Sequence, residues 1–380
     1  MSNNSEIIDF IRSQFPSKEF IPLHEPNFFG KEKEYVLDTI DSTFVSSVGV
    51  YVDKFELMLS QLTKTQKAVA VVNGTSGLQV ALRLSGVGMG DEVLTQSLTF
   101  IATINAIIYN GASPVFIDVD LDTMGLSPNA VENFLEQFGE LRNGVCFNKK
   151  TNKKISACMP MHTFGFPVHL DELIKVCNKW NIPIVEDAAE SIGSEYKGKP
   201  TGSFGKLGVF SFNGNKIVTS GGGGAIVTNE IELGIKAKHL TTTAKVPHPY
   251  EYVHDEIGYN FRMPNLNAAL ACAQMEQLDS FIQNKRSLAL EYNNFFKTKG
   301  INFRTELPNT KANYWLMCLQ LDNKKERDNF LKETNDNKVM SRPIWQLIFK
   351  SPNYSDFQRD AQENAIYLEE RIVNIPSSVR

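Results

Sequence analysis

The sequence predicts an α/β protein in which a mostly parallel, seven-stranded sheet is sandwiched by helices and a smaller C-terminal α/β domain follows. Three observations carry this. Continuous apolar runs recur between residues 68 and 228: AVAVV (68–72), EVLT (92–95), PVFID (114–118), SACMP (156–160), IPIVED (182–187), GVFSF (208–212) and GAIVT (224–228). Most of them lead into helical patterns, and strands apolar throughout are those covered on both faces of a parallel sheet. The length of 380 residues exceeds what a single core usually supports, so a second domain is expected.

Residues 1–20 read as an amphipathic arm with Ile7, Ile8, Phe10 and Ile11 on one side, packed on the surface or on a neighbouring subunit. IPLHEPNFFGKE (21–32) is irregular and opens a helix over 31–41, and FVSSVG (44–49) is a loop before a helix over 52–62. Those two loops are either the wall of a site or ordinary connections. From residue 68 the order is AVAVV, NGTSG and a helix to Leu84; EVLT and a helix from Ala102 to Tyr109; PVFID and a helix from Pro128. SACMP precedes a helix over 170–180, and IPIVED runs into the AAESIG turn. Residues 244–264 form a long aromatic loop, a length that usually marks function. One helix is then expected from Asn265 to Thr298, with Leu266, Ala269, Leu270, Ala273, Gln277 and Phe281 at helical spacing. The expected division is an arm (1–20), a large domain (21–264), and a linking helix with a small domain (265–380).

Composition excludes several classes. At 42% hydrophobic and 22% charged residues, with net charge −4 and no block of like charges, neither nucleic acid nor a polybasic membrane anchor is indicated. No apolar span reaches the ~20 residues of a membrane helix. Five scattered cysteines without a CxxC pair fit buried thiols in a reducing cytoplasm, with no metal site.

In α/β sheets, ligands bind beyond the carboxyl ends of the strands. NGTSG (73–77) there leaves free amides at a helix start, where a phosphate can sit, or is an ordinary capped turn. Asp187 closes IPIVED and either holds a heteroaromatic nitrogen protonated or caps the next turn. Phe100 offers a flat face or belongs to the core. Lys216, in SFNGNK (211–216) just before Gly221–Gly224, is either solvated or placed where an amine reaches a planar ligand crowded by backbone. Together these parts suit pyridoxal 5'-phosphate.

Resemblance adds specificity. NGTSGLQVAL (73–82), GDEVLTQSLTFIATINAI (90–107), GASPVFIDVD (111–120), PMHTFGFP (160–167), VEDAAESIGS (185–194), GVFSFNGNKIVTSGGGGAIVTN (208–229), GYNFRMPNLNAALACAQMEQLD (258–279) and SRPIW (341–345) occur in family order. On these stretches the chain resembles the DegT/StrS-type (DnrJ/EryC) sugar aminotransferases, fold-type-I enzymes dependent on pyridoxal phosphate, from Ile21 to the C-terminus.

The resemblance implies that Lys216 carries the cofactor's aldehyde and later moves a proton, and that Asp187 pairs with the ring nitrogen. It places Phe100 on the ring, and Gly74, Thr75, Ser76 and Ser211 at the phosphate. Asn260 reaches that phosphate from the partner of a homodimer, and Glu190 and Asn213 complete the cofactor surroundings. Asn213 stands where histidine is frequent, and Glu190 where the family varies. A lysine rather than histidine at 216 argues for transamination over dehydration.

NGNK with TTTAKVPHPYEYVHDEIGYN (241–260) resembles a legionaminic-type, surface-polysaccharide subgroup. That implies L-glutamate as donor and a UDP- or GDP-linked 4-keto-6-deoxy-N-acetylhexosamine as acceptor. Loops 24–30, 162–166 and 244–254 are the expected sugar-nucleotide wall, with His24, Phe28, His162, Lys245, His248 and Arg262 as candidates. Another keto-sugar, such as a 3-keto-6-deoxyhexose, or a non-catalytic cofactor-binding regulator are the alternatives.

Overall fold

The structure, a computed structural model, describes residues 4–380; of the expected arm, residues 1–3 lie outside it. Helix α1 (Asn4–Gln14) buries Ile7, Ile8 and Ile11, and Phe10 stacks on Phe295 with centroids 3.8 Å apart. The arm therefore packs on its own chain.

The strands are β1 (Lys67–Val71), β2 (Glu92–Gln96), β3 (Ser113–Ile117), β4 (Lys153–Met159), β5 (Val185–Asp187), β6 (Leu207–Ser211) and β7 (Gly224–Thr228). Their spatial order is β1-β7-β6-β5, then β4-β2-β3. The two groups join through parallel bridges between Cys158 and Ile184 and between Met161 and Asp187. Only β7 runs antiparallel to its neighbours. Its connection from β6 contains no helix, and a parallel return needs a long crossover. Gly139–Arg142 and Val145–Asn148 extend the sheet beside β4 as an antiparallel flap.

Both sheet faces are covered. Val69, Val71, Val209 and Ile226 point into a cluster with Leu78 and Ala81 of α4 (Gly74–Leu84). Ala68, Ala70, Phe210, Ala225 and Val227 face the opposite cluster, with Phe55 of α3 (Val50–Thr63). Each fully buried valine there is worth roughly 1.5–3 kcal/mol. Helix α2 (Glu32–Asp41) precedes α3, and α5 (Ile101–Tyr109) follows β2. The five cysteines are all free and buried.

Two expectations change. The helix expected over 265–298 is two, Asn265–Met275 and Leu278–Thr298, broken at Glu276 and Gln277. Glu276 accepts from Lys54 and Tyr35 at 2.8 Å, and Gln277 donates to Glu32, so both side chains are drawn toward α2 and α3. The first segment is buried nearly all round and the second on one side, a change that unbroken periodicity conceals. The 244–264 loop contains a short hairpin, Lys245–Val246 against Val253–His254.

The C-terminal part holds an antiparallel sheet of β8 (Asn302–Phe303), β9 (Met317–Gln320), β10 (Arg342–Pro343) and β11 (Ile372–Ile375), in the order β8-β9-β11-β10. In its ladder Arg342 lies opposite Asn374. Among the described residues no helix is long and apolar enough to cross a membrane.

Candidate active site

Lys216 ends the turn after β6, its amide bonded to the Asn213 carbonyl at 3.0 Å. Its side chain is 12% exposed, and Nζ lies 3.5 Å from Glu190 Oε1 and 3.7 Å from the centroid of Trp315. Trp315 in turn donates from Nε1 to the Asn215 carbonyl at 2.8 Å. Burial lowers the lysine's pKa against the opposing pull of Glu190 and Asp187. Glu190 responds in kind. Burial raises its pKa to about 7, although Lys216 and the Phe164 amide, 2.9 Å from Oε2, favour its charged form.

Asp187 ends β5 at the sheet's carboxyl edge. Thr103 Oγ1 donates to its Oδ2 at 2.7 Å and the Ala189 amide to its Oδ1 at 3.2 Å. Burial raises this carboxyl's pKa, while those donors and Lys216 oppose the rise. Opposite lies the start of α4, where Asn73 Oδ1 caps the Ser76 amide at 2.8 Å and the other first-turn amides have no intrahelical acceptor. A Cβ on Gly74 would come 3.1 Å from Ser211 Cβ. One on Gly224 would come 2.5 Å from the Asn73 carbonyl carbon. The close approach expected of the glycine run is therefore, at Gly224, made to the start of α4 rather than to a planar ligand.

A cavity of about 640 Å³ joins these groups. Of the residues singled out in the sequence, Gly74, Thr75, Phe100, Asp187, Glu190, Ser211, Asn213 and Lys216 line it. Ser76 is not among the lining residues; its backbone amide donates to the Asn73 cap. His162 is fully buried, with Nδ1 accepting from the Val168 amide at 3.3 Å and Nε2 3.0 Å from Glu186 Oε2. It braces the strand ends, and residues 163–166 are buried with it, so this segment does not form part of a sugar wall. His24 presents two buried ring nitrogens without a well-formed hydrogen bond, and burial, with Lys285 and Lys216, drives its pKa well down against the weak opposing pull of the Asn215 backbone. Phe28 is half exposed and does not line this cavity.

Lys245, His248 and Arg262 line a separate cavity of about 720 Å³ together with Lys238. Asn260 is exposed beside it and accepts from Arg262 Nε at 2.9 Å. Trp315 lines the Lys216 cavity without having been singled out, and Arg342 and Trp345 do so from SRPIW (341–345), a stretch quoted for its family order with no role given to either residue. Trp315 follows no helical or strand period, so only the scarcity of tryptophan, three in the chain, marks it.

A buried amine, a buried carboxylate and a helix start opened by glycine fit a group that carries an aldehyde, a basic ring nitrogen and a phosphate, as pyridoxal phosphate does. The comparisons agree. The model of the DegT/DnrJ/EryC1/StrS aminotransferase family matches residues 28–380. A GDP-perosamine synthase of Escherichia coli O157:H7 is 36% identical over 359 residues, which cover 94% of this chain and 93% of that one. EpsN of Bacillus subtilis (strain 168), provisionally named a pyridoxal phosphate-dependent aminotransferase, is 37% identical over 333 residues, covering 87% and 83%. The structure of Helicobacter pylori PseC, an aminotransferase involved in the biosynthesis of pseudoaminic acid, shares the fold, with TM-score 0.85 at 23% identity over 94% of each chain. The chain belongs to the DegT/DnrJ/EryC1/StrS aminotransferase family and is a pyridoxal phosphate-dependent sugar aminotransferase.

Proposed function

We propose that the enzyme moves an amino group from L-glutamate to a nucleotide-linked 4-keto-6-deoxy sugar, with Lys216 as the proton-moving base. The observation that carries this is the Lys216 amine, held inside one cavity with Asp187 and the start of α4. When bound, pyridoxal phosphate supplies an aldehyde to take up the amino group and a ring to accept the electron pair.

The chain's residues do the rest. The Gly74 and Thr75 amides and the Ser211 hydroxyl hold the phosphate, and Phe100 supplies a face for the ring. Asp187, oriented by Thr103, keeps the ring nitrogen protonated. Lys216, its pKa lowered by burial, is available neutral to accept a proton from one carbon and return it to the carbon on the other side of the amino nitrogen. Asn213 and Glu190 border the same space.

The working form in this proposal is a homodimer. A run of exposed apolar side chains, with Phe29 at 82%, Val48 at 71% and Val50 at 72% exposure, suits burial against a second copy. The 244–262 segment of each copy would then bring Asn260, Lys245, His248 and Arg262 to the other copy's cofactor and nucleotide. GDP-sugar relatives at 32–36% identity favour GDP as the carrier. The 241–260 loop resembles that of enzymes acting on N-acetylhexosamines for legionaminic-type glycans, which keeps UDP in the comparison. Five buried free thiols accord with work in the cytoplasm.

The test is direct. Purified protein should carry borohydride-reducible visible absorbance that bleaches with L-glutamate, and a panel of UDP- and GDP-linked keto-sugars, read by mass spectrometry, should yield one amino-sugar. Lys216→Ala should lose both the absorbance and turnover; turnover retained in that variant would sink the assignment.

A further inference from the structure

We infer that Asn313 is a positioning residue: reaching over from the C-terminal domain, it fixes both Glu190 and Trp315 against the amine of Lys216. This rests on Lys216 as the cofactor-bearing amine and adds the residue that holds its surroundings in place.

Asn313 lies just before β9 and is fully buried. Its side chain serves only the backbone of other residues. Nδ2 donates to the Glu190 carbonyl and to the Ile192 carbonyl, each at 2.9 Å, and Oδ1 accepts from the Trp315 amide at 2.8 Å. Carbonyls only accept and a backbone N–H only donates, so the orientation of this side-chain amide is forced. Aspartate, of the same shape, would set an oxygen against both carbonyls.

The contacts close into a ring around Lys216. On one side, Glu190 Oε1 lies 3.5 Å from Lys216 Nζ while its Oε2 accepts from the Phe164 amide at 2.9 Å. The next residue, Gly165, passes so near Asn313 that a Cβ there would lie 1.9 Å from Oδ1. Ser194 Oγ clasps the same two residues, donating to the Gly165 carbonyl at 2.7 Å and accepting from the Asn313 amide at 3.0 Å. On the other side stands Trp315, with its ring centroid 3.7 Å from Nζ and its Nε1 on the Asn215 carbonyl. Phe164, at φ 55°, and Tyr314, at φ 51°, are left-handed without being glycine. Such conformations persist where the surroundings over-determine them, and they gather at functional sites.

What the ring controls is charge. Glu190 and Trp315 both favour the protonated amine, against burial, which favours the neutral one. Asp187, at the end of β5, adds to the first pull. His24, its pKa driven well down, and Arg342 on the cavity wall are the other titratable groups nearby, and Asn313 bonds to neither. Because the pull of a charge falls with distance, the residue that holds Glu190 and Trp315 in place sets how much of it reaches the lysine.

The experiment uses the full-length, cofactor-free enzyme. Pyridoxal phosphate is added from about pH 7 to about pH 10, and the rate of capture by Lys216, which requires the neutral amine, is read as visible absorbance and fixed with borohydride. Asn313→Ala should move the midpoint of this profile down by roughly one pH unit. Ser194→Ala, a milder cut in the same ring, should move it less and in the same direction. With Glu190→Gln as background, the Asn313→Ala shift should shrink by about half or more, the remainder being carried by Trp315. A purely structural asparagine would lower the unfolding midpoint and leave the profile in place, which overturns the inference. So does an equal shift with and without Glu190. Should Asn313→Ala fail to fold, Ser194→Ala in the two backgrounds decides in the same terms. Capture by Lys216→Ala equal to that of wild type would instead defeat the assignment of the lysine, and the role of Asn313 with it.

Discussion

Lys216 Nζ rests 3.7 Å from the centroid of the Trp315 ring, and that ring's Nε1 donates to the carbonyl of Asn215, the residue just before the lysine. One side chain thus holds the lysine at both ends, through its face and through its edge. A cation over a desolvated indole gains roughly 0.5–2 kcal/mol. Trp315→Phe should keep the face and lose the edge, and Trp315→Ala should lose both. Single-turnover bleaching with glutamate should slow about 3-fold in the first and about 10-fold or more in the second, since 1.4 kcal/mol is tenfold. Equal rates in all three proteins would show that the lysine is held by its turn alone.

Glu190 predicts a pH effect in the cofactor-free chain. Its pKa is raised from 4.5 to about 7, so the folded state favours the protonated carboxyl. The stability it contributes is intact below about pH 4.5 and is lost as pH climbs to about 7. The full loss is on the order of 3 kcal/mol. Glu190→Gln does not titrate. Chemical denaturation at pH 5, 6, 7 and 8 should therefore find the variant gaining on wild type with each step to about pH 7, then running parallel. A constant difference across that range would refute the assignment.

Gly224→Ala should act on both the fold and the cofactor. The added methyl meets the Asn73 carbonyl carbon at 2.5 Å, a backbone atom that cannot swing aside. Relief requires β7 and the start of α4 to separate, at about 1–3 kcal/mol. Since that helix start forms part of the proposed phosphate site, cofactor affinity should fall along with the unfolding midpoint. Equilibrium dialysis measures the first and denaturation the second. Gly222→Ala, with open space around its Cβ, is the control and should change neither.

The proposed sharing of the site between two copies predicts complementation. Lys216→Ala and Asn260→Ala homodimers should each be impaired, yet refolding them together should yield hybrids with one intact site. With random pairing and twofold symmetry, activity should recover to about a quarter of wild type. No recovery would place Asn260 at its own chain's lysine or outside the chemistry altogether.

Legibility from sequence divided along physical lines. Wholly apolar strands and glycine-bearing turns are written locally, so the seven-stranded sheet, the strand-end position of Asp187 and the place of Lys216 in the turn after β6 could be read directly. The antiparallel course of β7 was implicit in the missing helix between residues 212 and 223. Other features depend on partners remote in the chain. Trp315 lies 100 positions from the Asn215 carbonyl it binds, and Arg342 and Asn374 meet only through a short antiparallel ladder. The break at Glu276 is set by Lys54 and Tyr35, which no periodicity of residues 265–298 contains. His162 misled because a strand-end histidine facing a ligand and one facing Glu186 have the same sequence signature.

The burial of all five cysteines makes the native protein a silent background for thiol chemistry. Burial pushes Cys146 to about 11 and Cys272 and Cys318 to about 12, so very little reactive thiolate exists at neutral pH. A single cysteine introduced at exposed Phe29 or Asn260 would then be the only handle that a maleimide probe reaches. A spin label or fluorophore there would make the proposed pairing of two copies, and any displacement of the 244–262 segment on adding substrate, directly measurable without first stripping the enzyme of its own thiols.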